Sequence, residues 1–186
     1  EKPSTLNFTY NTKAVLQQCR NEGGVTGKKD YVGGIVGNMS LGTVYECESY
    51  AEIESTDGNY VGGIAGFSDT SIRKCFSKGV ISGLQKVGGI AGRASSVSGC
   101  YAIVNVHADE TLGAIVGEEC DKAGISQNYF LDKGLGAIDS VSYCDHAQPI
   151  TYEELRAIET IPDRFLRFHV LFVAAGRKVS KLTVDY

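Results

Sequence analysis

The side chains in this sequence that could carry chemistry are cysteine, histidine and carboxylate, and its six cysteines come first. Cys19, Cys47, Cys75 and Cys100 recur at intervals of 25 to 28 residues, and Asn128 stands where a fifth would fall. Tetrahedral zinc needs ligands converging from several directions. Single cysteines at a regular period predict instead one stacked column of parallel thiols. Parallel Cβ vectors are poorly set for disulfides, so these four read as free thiols packed as small hydrophobes. Cys120 and Cys144 fall outside the register. For them a disulfide in an oxidising compartment and two unpaired thiols both remain open.

The other candidates are weaker. His107, His146 and His169 are isolated, no H-E-x-x-H pair occurs, and a G-x-S-x-G elbow is missing. Paired-carboxylate hydrolysis would have to use Asp109, Glu110, Glu118 and Glu119, which read as a solvated acidic edge. The repeated G-G-x-G-x-D calcium pattern is also missing. The expectation is therefore no catalytic residue, no metal and no cofactor. A glycine-rich phosphate loop is the remaining possibility, because "YVGGIVG" at 31–37 could be one. It returns as "YVGGIAG" at 60–66, "KVGGIAG" at 86–92 and "TLGAIVG" at 111–117. A dinucleotide site occurs once, whereas a structural unit repeats.

The elements that position these residues follow from the repeat. Units are 25 to 29 residues long. Leu16, Val44, Ile72, Val97 and Ile125 stand three before each cysteine slot. Counting by twos from the cysteine gives small residues and then a β-branched one: Asn21, Ser49, Ser77 and Ala102; Gly23, Ala51, Gly79 and Val104; Val25, Ile53, Ile81 and Val106. Period two is a strand with one buried face. Val32, Val61, Val87 and Leu112 lie three residues before Ile35, Ile64, Ile90 and Ile115. Either a bend at the glycines (Gly33, Gly34, Gly62, Gly63, Gly88, Gly89, Gly113) turns both columns inward, or one column faces out beneath a neighbouring segment. The units are too short for a helical crossover, so like strands stack in parallel, and the handedness rule for crossovers makes the coil right-handed. The expectation is an all-β, right-handed parallel β-solenoid of about 4–5 coils over 1–147. Loop variation in "NMSLGT", "FSDTS", "RASS" and "EECDKAG" is expected at one corner, and "TLNFTY" as a strand on the first coil. A capping helix and linker follow over 148–163, with Thr151 and Glu154 as a capping box, Pro162 as its stop, and Leu155 and Ile158 on the final coil. A β-hairpin around "AAGRK" over 164–186 reads as the start of another module.

The outward column after the cysteines carries Phe76, Tyr101 and Tyr129 on successive coils, flanked by Tyr50, Ile103 and Leu131. An exposed aromatic ladder can bind a glycan or a protein. Equally, the N-terminal segment, the cap or a neighbouring module could cover it. The chain's 42% apolar and 22% charged residues, with a net charge of -4, give no reason to expect nucleic acid as a partner or insertion into a membrane. Its abrupt start, "EKPSTLNF", suggests a piece of a longer protein.

The four "VGGIVG"-type motifs, each behind a cysteine-aliphatic strand, resemble the GLUG repeat of bacterial cell-surface proteins. That repeat is also found in streptococcal IgA1-specific metalloproteases, upstream of their catalytic part. The likeness covers roughly 14–140, and "NYFLDKG" followed by "TYEEL" is similar to the way such arrays close. Ala114 in place of the second glycine and Asn128 in place of cysteine are departures. The resemblance implies an extracellular location at the bacterial surface and a non-catalytic spacer or adhesive role. Implied partners are a host protein or glycan and other modules of the same chain. The alternative is an accessory region of an extracellular protease or polysaccharide-active enzyme whose catalytic domain lies elsewhere.

Overall fold

The computed structural model describes residues 14–119, 124–139, 141, 146–170, 173–174, 177–178 and 182–184. The chain winds through three parallel sheets, visiting each once per turn. The first sheet is built on Ala14–Gln17, Gly42–Tyr45, Ala65–Arg73, Ala91–Ser98 and Val116–Glu119. The second runs from Arg20–Asn21 through Glu48–Ser49, Phe76–Gly83, Tyr101–Ala108 and Asn128–Leu131 to Ala147–Ile150. The third holds four two-residue strands, Val32–Gly33, Val61–Gly62, Val87–Gly88 and Leu112–Gly113, one for each of four full turns. This is the expected parallel β-solenoid.

Like residues pair with like. Leu16 aligns with Val44, Val44 with Ile72, Ile72 with Val97 and Val97 with Ile125. The small-residue and β-branched columns also point inward, with Ser49, Ser77 and Ala102 of the first and Ile53 and Ile81 of the second all buried. Each fully buried aliphatic stabilises the fold by about 1.5–3 kcal/mol relative to exposure. Stacking makes one continuous core from four turns that could not each hold one.

Three corners close each turn, so the cross-section has three sides rather than two long strands. The segment from the aliphatic to the β-branched residue is broken just before the cysteine. There Gln18, Glu46, Lys74, Gly99 and Gln127 adopt left-handed φ between 51° and 63°. Such a conformation costs a non-glycine residue about 1–2 kcal/mol. It is held because the corner amides still donate to the next turn: Glu46 to the Arg73 carbonyl at 3.0 Å and Lys74 to that of Ser98 at 3.0 Å. A second left-handed corner falls at Tyr31, Tyr60 and Lys86. The glycine pairs form the third. Val61, Val87, Ile64, Ile90 and Ile115 are all fully buried, so the bend does turn both columns inward. These glycines keep ordinary φ; what they provide is room. A Cβ on Gly63 would lie 1.9 Å from Ser77 Oγ and 2.2 Å from the Gly89 carbonyl.

Two expectations need correction. "FSDTS" and "RASS" are not corner loops; they lie inside the long strands Ala65–Arg73 and Ala91–Ser98, where a register shift between Ser68 and Ser71 absorbs the length difference. The capping helix is not confined to the final coil: Leu155 and Ile158 cluster with Leu131 and Ile150 of the last rungs and also with residues of earlier turns. Two short helices, α1 (Tyr152–Arg156) and α2 (Asp163–Leu166), pack sideways on the outer face of the second sheet. Leu155, Ile161 and Phe165 bury against Ile103, with Tyr50, Phe76, Tyr101 and Leu131 around them. The last rung, Ala147–Ile150, pairs parallel with Asn128–Leu131 and delivers the chain to that flank, where an apolar outward column needs cover. The capping box of Thr151 and Glu154 is present. Beyond the cap, Phe168–Val170 pairs antiparallel with Leu182–Val184, and Val173–Ala174 with Arg177–Lys178, giving the expected hairpin. "TLNFTY", Cys120 and Cys144 lie outside the described residues.

Candidate ligand-binding groove beside the cap

The cysteine column is assembled as the spacing predicts, with its inner members shielded from solvent. Cys47, Cys75 and Cys100 are buried, Cys19 partly so, and all four are free. Each buried thiol donates back to the turn before: Cys47 Sγ to the Leu16 carbonyl at 3.5 Å, Cys75 to Val44 at 3.9 Å and Cys100 to Ile72 at 3.8 Å. The hydrogen bond with Cys75 and then burial push the Cys47 thiol well up, and the bond with Cys100 does the same to Cys75. Thiolate is the nucleophile and the metal ligand, and the raised values of Cys47 and Cys75 disfavour it. Asn128 closes the column. Its amide oxygen accepts from the Cys100 N–H at 3.0 Å and its amide nitrogen donates to the Val97 carbonyl at 2.9 Å.

The predicted aromatic ladder also forms. Phe76 and Tyr101 stack with centroids 5.5 Å apart, and Tyr101 and Tyr129 at 5.2 Å. The cap covers one side of it. Phe165 meets Phe76 edge-on at 5.3 Å. Arg164 grips Glu48 with two hydrogen bonds, Nε–Oε2 at 2.6 Å and Nη2–Oε1 at 2.9 Å, and the Tyr50 hydroxyl donates to the same carboxylate at 2.6 Å. Burial would raise the Glu48 pKa, but the Arg164 and Tyr50 hydrogen bonds and the nearby cations outweigh it and leave a net lowering. Tyr50 is pushed up, first by burial and then by Glu48. Lys78 donates to the carbonyls of Phe165 and Arg167 at the end of α2, and burial brings its amine down to about 8. Tyr50 is therefore part of the cap's seat, while Phe76 and Tyr101 keep one open side.

On that side lies a cavity of about 850 Å³. Its walls are the corner column (Gln18, Glu46, Lys74, Gly99), the outward column (Arg20, Glu48, Phe76, Tyr101), and Thr160 and Arg164 of the cap. Tyr129 does not line it. Sequence reasoning found the aromatic floor and missed both the corner column and the cap's contribution. The corner residues are legible afterwards as the position before each cysteine slot.

A second aromatic cluster was also missed. Tyr31 and Tyr60 stack at 5.2 Å, and both meet Phe67 edge-on at 5.8 and 5.9 Å. Lys86 lies over Tyr60 and joins Arg93 in ion pairs to Glu118 at 3.1 and 3.3 Å. The signal was the residue before each "VGG" or "LGA", which reads Tyr31, Tyr60, Lys86, Thr111. Glu118 thus belongs to a structural cluster, and His146 places Nδ1 2.6 Å from the Ile125 carbonyl. Among the described residues no group of three or more His, Cys, Asp or Glu is placed to hold a metal ion, and no helix is long and apolar enough to cross a membrane.

Fold and groove together define a β-solenoid repeat protein with a laterally docked helical cap. No family profile, curated protein or solved structure matches the chain.

Proposed function

We propose that this chain is a GLUG-like, non-catalytic module of a secreted or cell-wall-attached bacterial surface protein, serving as spacer and as a protein- or glycan-binding surface. The observation that carries the reading is where the reactive side chains go. Cys47 and Cys75 hold their protons in the interior, Cys100 is buried beside them, and Glu48 and Glu118 are engaged by cations on the outside. The outer face carries instead two stacked aromatic clusters and a groove. A stack of identical turns gives a rigid body whose length scales with repeat number, which suits a spacer.

The test is made on the whole gene product in the cells that produce it. An antibody raised against this module labels intact, unpermeabilised cells, and excising the repeats weakens attachment by the cell. Labelling that appears only after lysis overturns the reading.

A further inference from the structure

We infer that the groove opened at Gly99 binds a neutral oligosaccharide; this ligand class deepens the adhesive reading above and rests on it. The corner column carries a long side chain at Gln18, Glu46, Lys74 and Gln127, and only Gly99 interrupts it. Backbone conformation does not demand that glycine, because all five positions share φ between 51° and 63°. What the glycine does is leave a notch beside Tyr101. A Cβ built there meets nothing nearer than Lys74 Cγ at 3.6 Å. The cavity of about 850 Å³ that opens here falls within the usual range for small-molecule sites.

The walls favour a neutral polyol over an ion. Both arginines are already paired, Arg164 with Glu48 at 2.6 Å and Arg20 with Glu22 at 3.0 Å, while the Glu46 carboxylate accepts from the neutral Gln18 amide at 3.2 Å. Lys74 is held by the Tyr45 hydroxyl at 3.2 Å and lies over its ring. A phosphate or an acidic peptide would compete with Glu48 and Glu22 for the arginines and would lie beside the Glu46 carboxylate, whose charge no cation matches among the described residues of the groove. A hydroxyl does not compete, since each guanidinium and carboxylate keeps spare donors or lone pairs, and a hydroxyl can both give and accept. Tyr101 is stacked on both faces, by Phe76 and Tyr129, so only its edge is left for the groove. An aromatic edge is the positive rim of the ring quadrupole and receives ligand oxygens. Polar groups recur along the groove at the rung spacing of roughly 4.8 Å, which suits a chain of like units better than a compact metabolite.

The experiment screens the 186-residue chain on an array of neutral and acidic oligosaccharides, then titrates the best neutral binder calorimetrically. Two variants narrow the groove from opposite walls: Gly99→Gln, which restores the side chain of the other corners, and Thr160→Trp on the cap. The expected result is binding of at least one neutral oligosaccharide that is insensitive to salt and at least tenfold weaker in both variants, with both variants keeping the parent's far-ultraviolet circular dichroism and a cooperative melt. Undiminished binding in both variants places the ligand elsewhere and overturns the inference while leaving an adhesive module. Salt-sensitive binding of acidic glycans alone overturns the neutral class. No binding on the array sinks the glycan site altogether, and the antibody labelling then decides the surface reading separately.

Discussion

Cys75 keeps its proton because its hydrogen bond with Cys100, and then burial, outweigh the opposing effect of Cys47. With Cys47 it ionises only above the ordinary value of 9.0. The folded chain therefore holds protons that the unfolded chain has released, so this contribution to stability is complete below about pH 9 and lost as pH rises further. Lys78 works in the opposite sense. Its folded value near 8 lies below the ordinary 10.5, so stability gains between those limits. We expect the urea midpoint to fall above pH 9 in a Lys78→Met background, and more steeply than in the parent chain; a flat profile in that background would refute the thiol assignment. In the same way, Cys47, Cys75 and Cys100 should resist a thiol reagent until the chain unfolds, with Cys19 reacting first.

At the scale of elements, the cap is held by its contacts and not by its own helices. Helices of five and four residues are far too short to persist alone. Phe165 is fully buried against the ladder, and truncating such a ring costs about 3–5 kcal/mol. Phe165→Ala should release the cap, read as new protease cleavage within 151–167, while the far-ultraviolet circular dichroism of the solenoid persists. Loss of the solenoid signal as well would show that the cap is integral to the stack. Arg164→Ala should do much less. Its side chain is 49% exposed, and such pairs contribute about 0.2–1 kcal/mol. The effect should shrink with salt, and should vanish as acid protonates Glu48, whose lowered pKa makes the pair's contribution present at neutral pH and lost below the usual carboxylate range.

For the whole molecule, stability is a sum over turns and the interfaces between them, so a lesion between middle turns does most harm. Gly63→Ala forces a Cβ against the backbone of the next turn and a serine of the core. Overpacking of this kind costs about 1–3 kcal/mol and more where backbone must move. Gly23→Ala, where the nearest atom is Asn21 Oδ1 at 3.7 Å, should be close to neutral. Chemical denaturation of the two variants side by side is the check; equal midpoints would contradict the close stacking of glycine corners.

The solenoid was legible before any coordinates because its cause is local and repeated. A period of two, a fixed aliphatic three before each cysteine slot and small residues in between specify which way each side chain faces. Four copies in register leave parallel stacking as the way to bury them together. The aromatic ladder followed from the same counting. What one-dimensional counting could not supply was the company each column keeps. Whether Tyr50 and Phe76 face water or a helix depended on where residues 151–167 return, which the last rung sets and which brings Arg164 to Glu48 across 116 positions of sequence. The three-sided cross-section was hidden for a related reason: left-handed corners at Gln18, Glu46 and Lys74 carry no special residue type and are sustained by hydrogen bonds from the neighbouring turn. The groove belongs to the same class. Its floor could be read from the periodic columns, but its walls exist only once a corner column, a missing side chain at Gly99 and a docked cap come together in space.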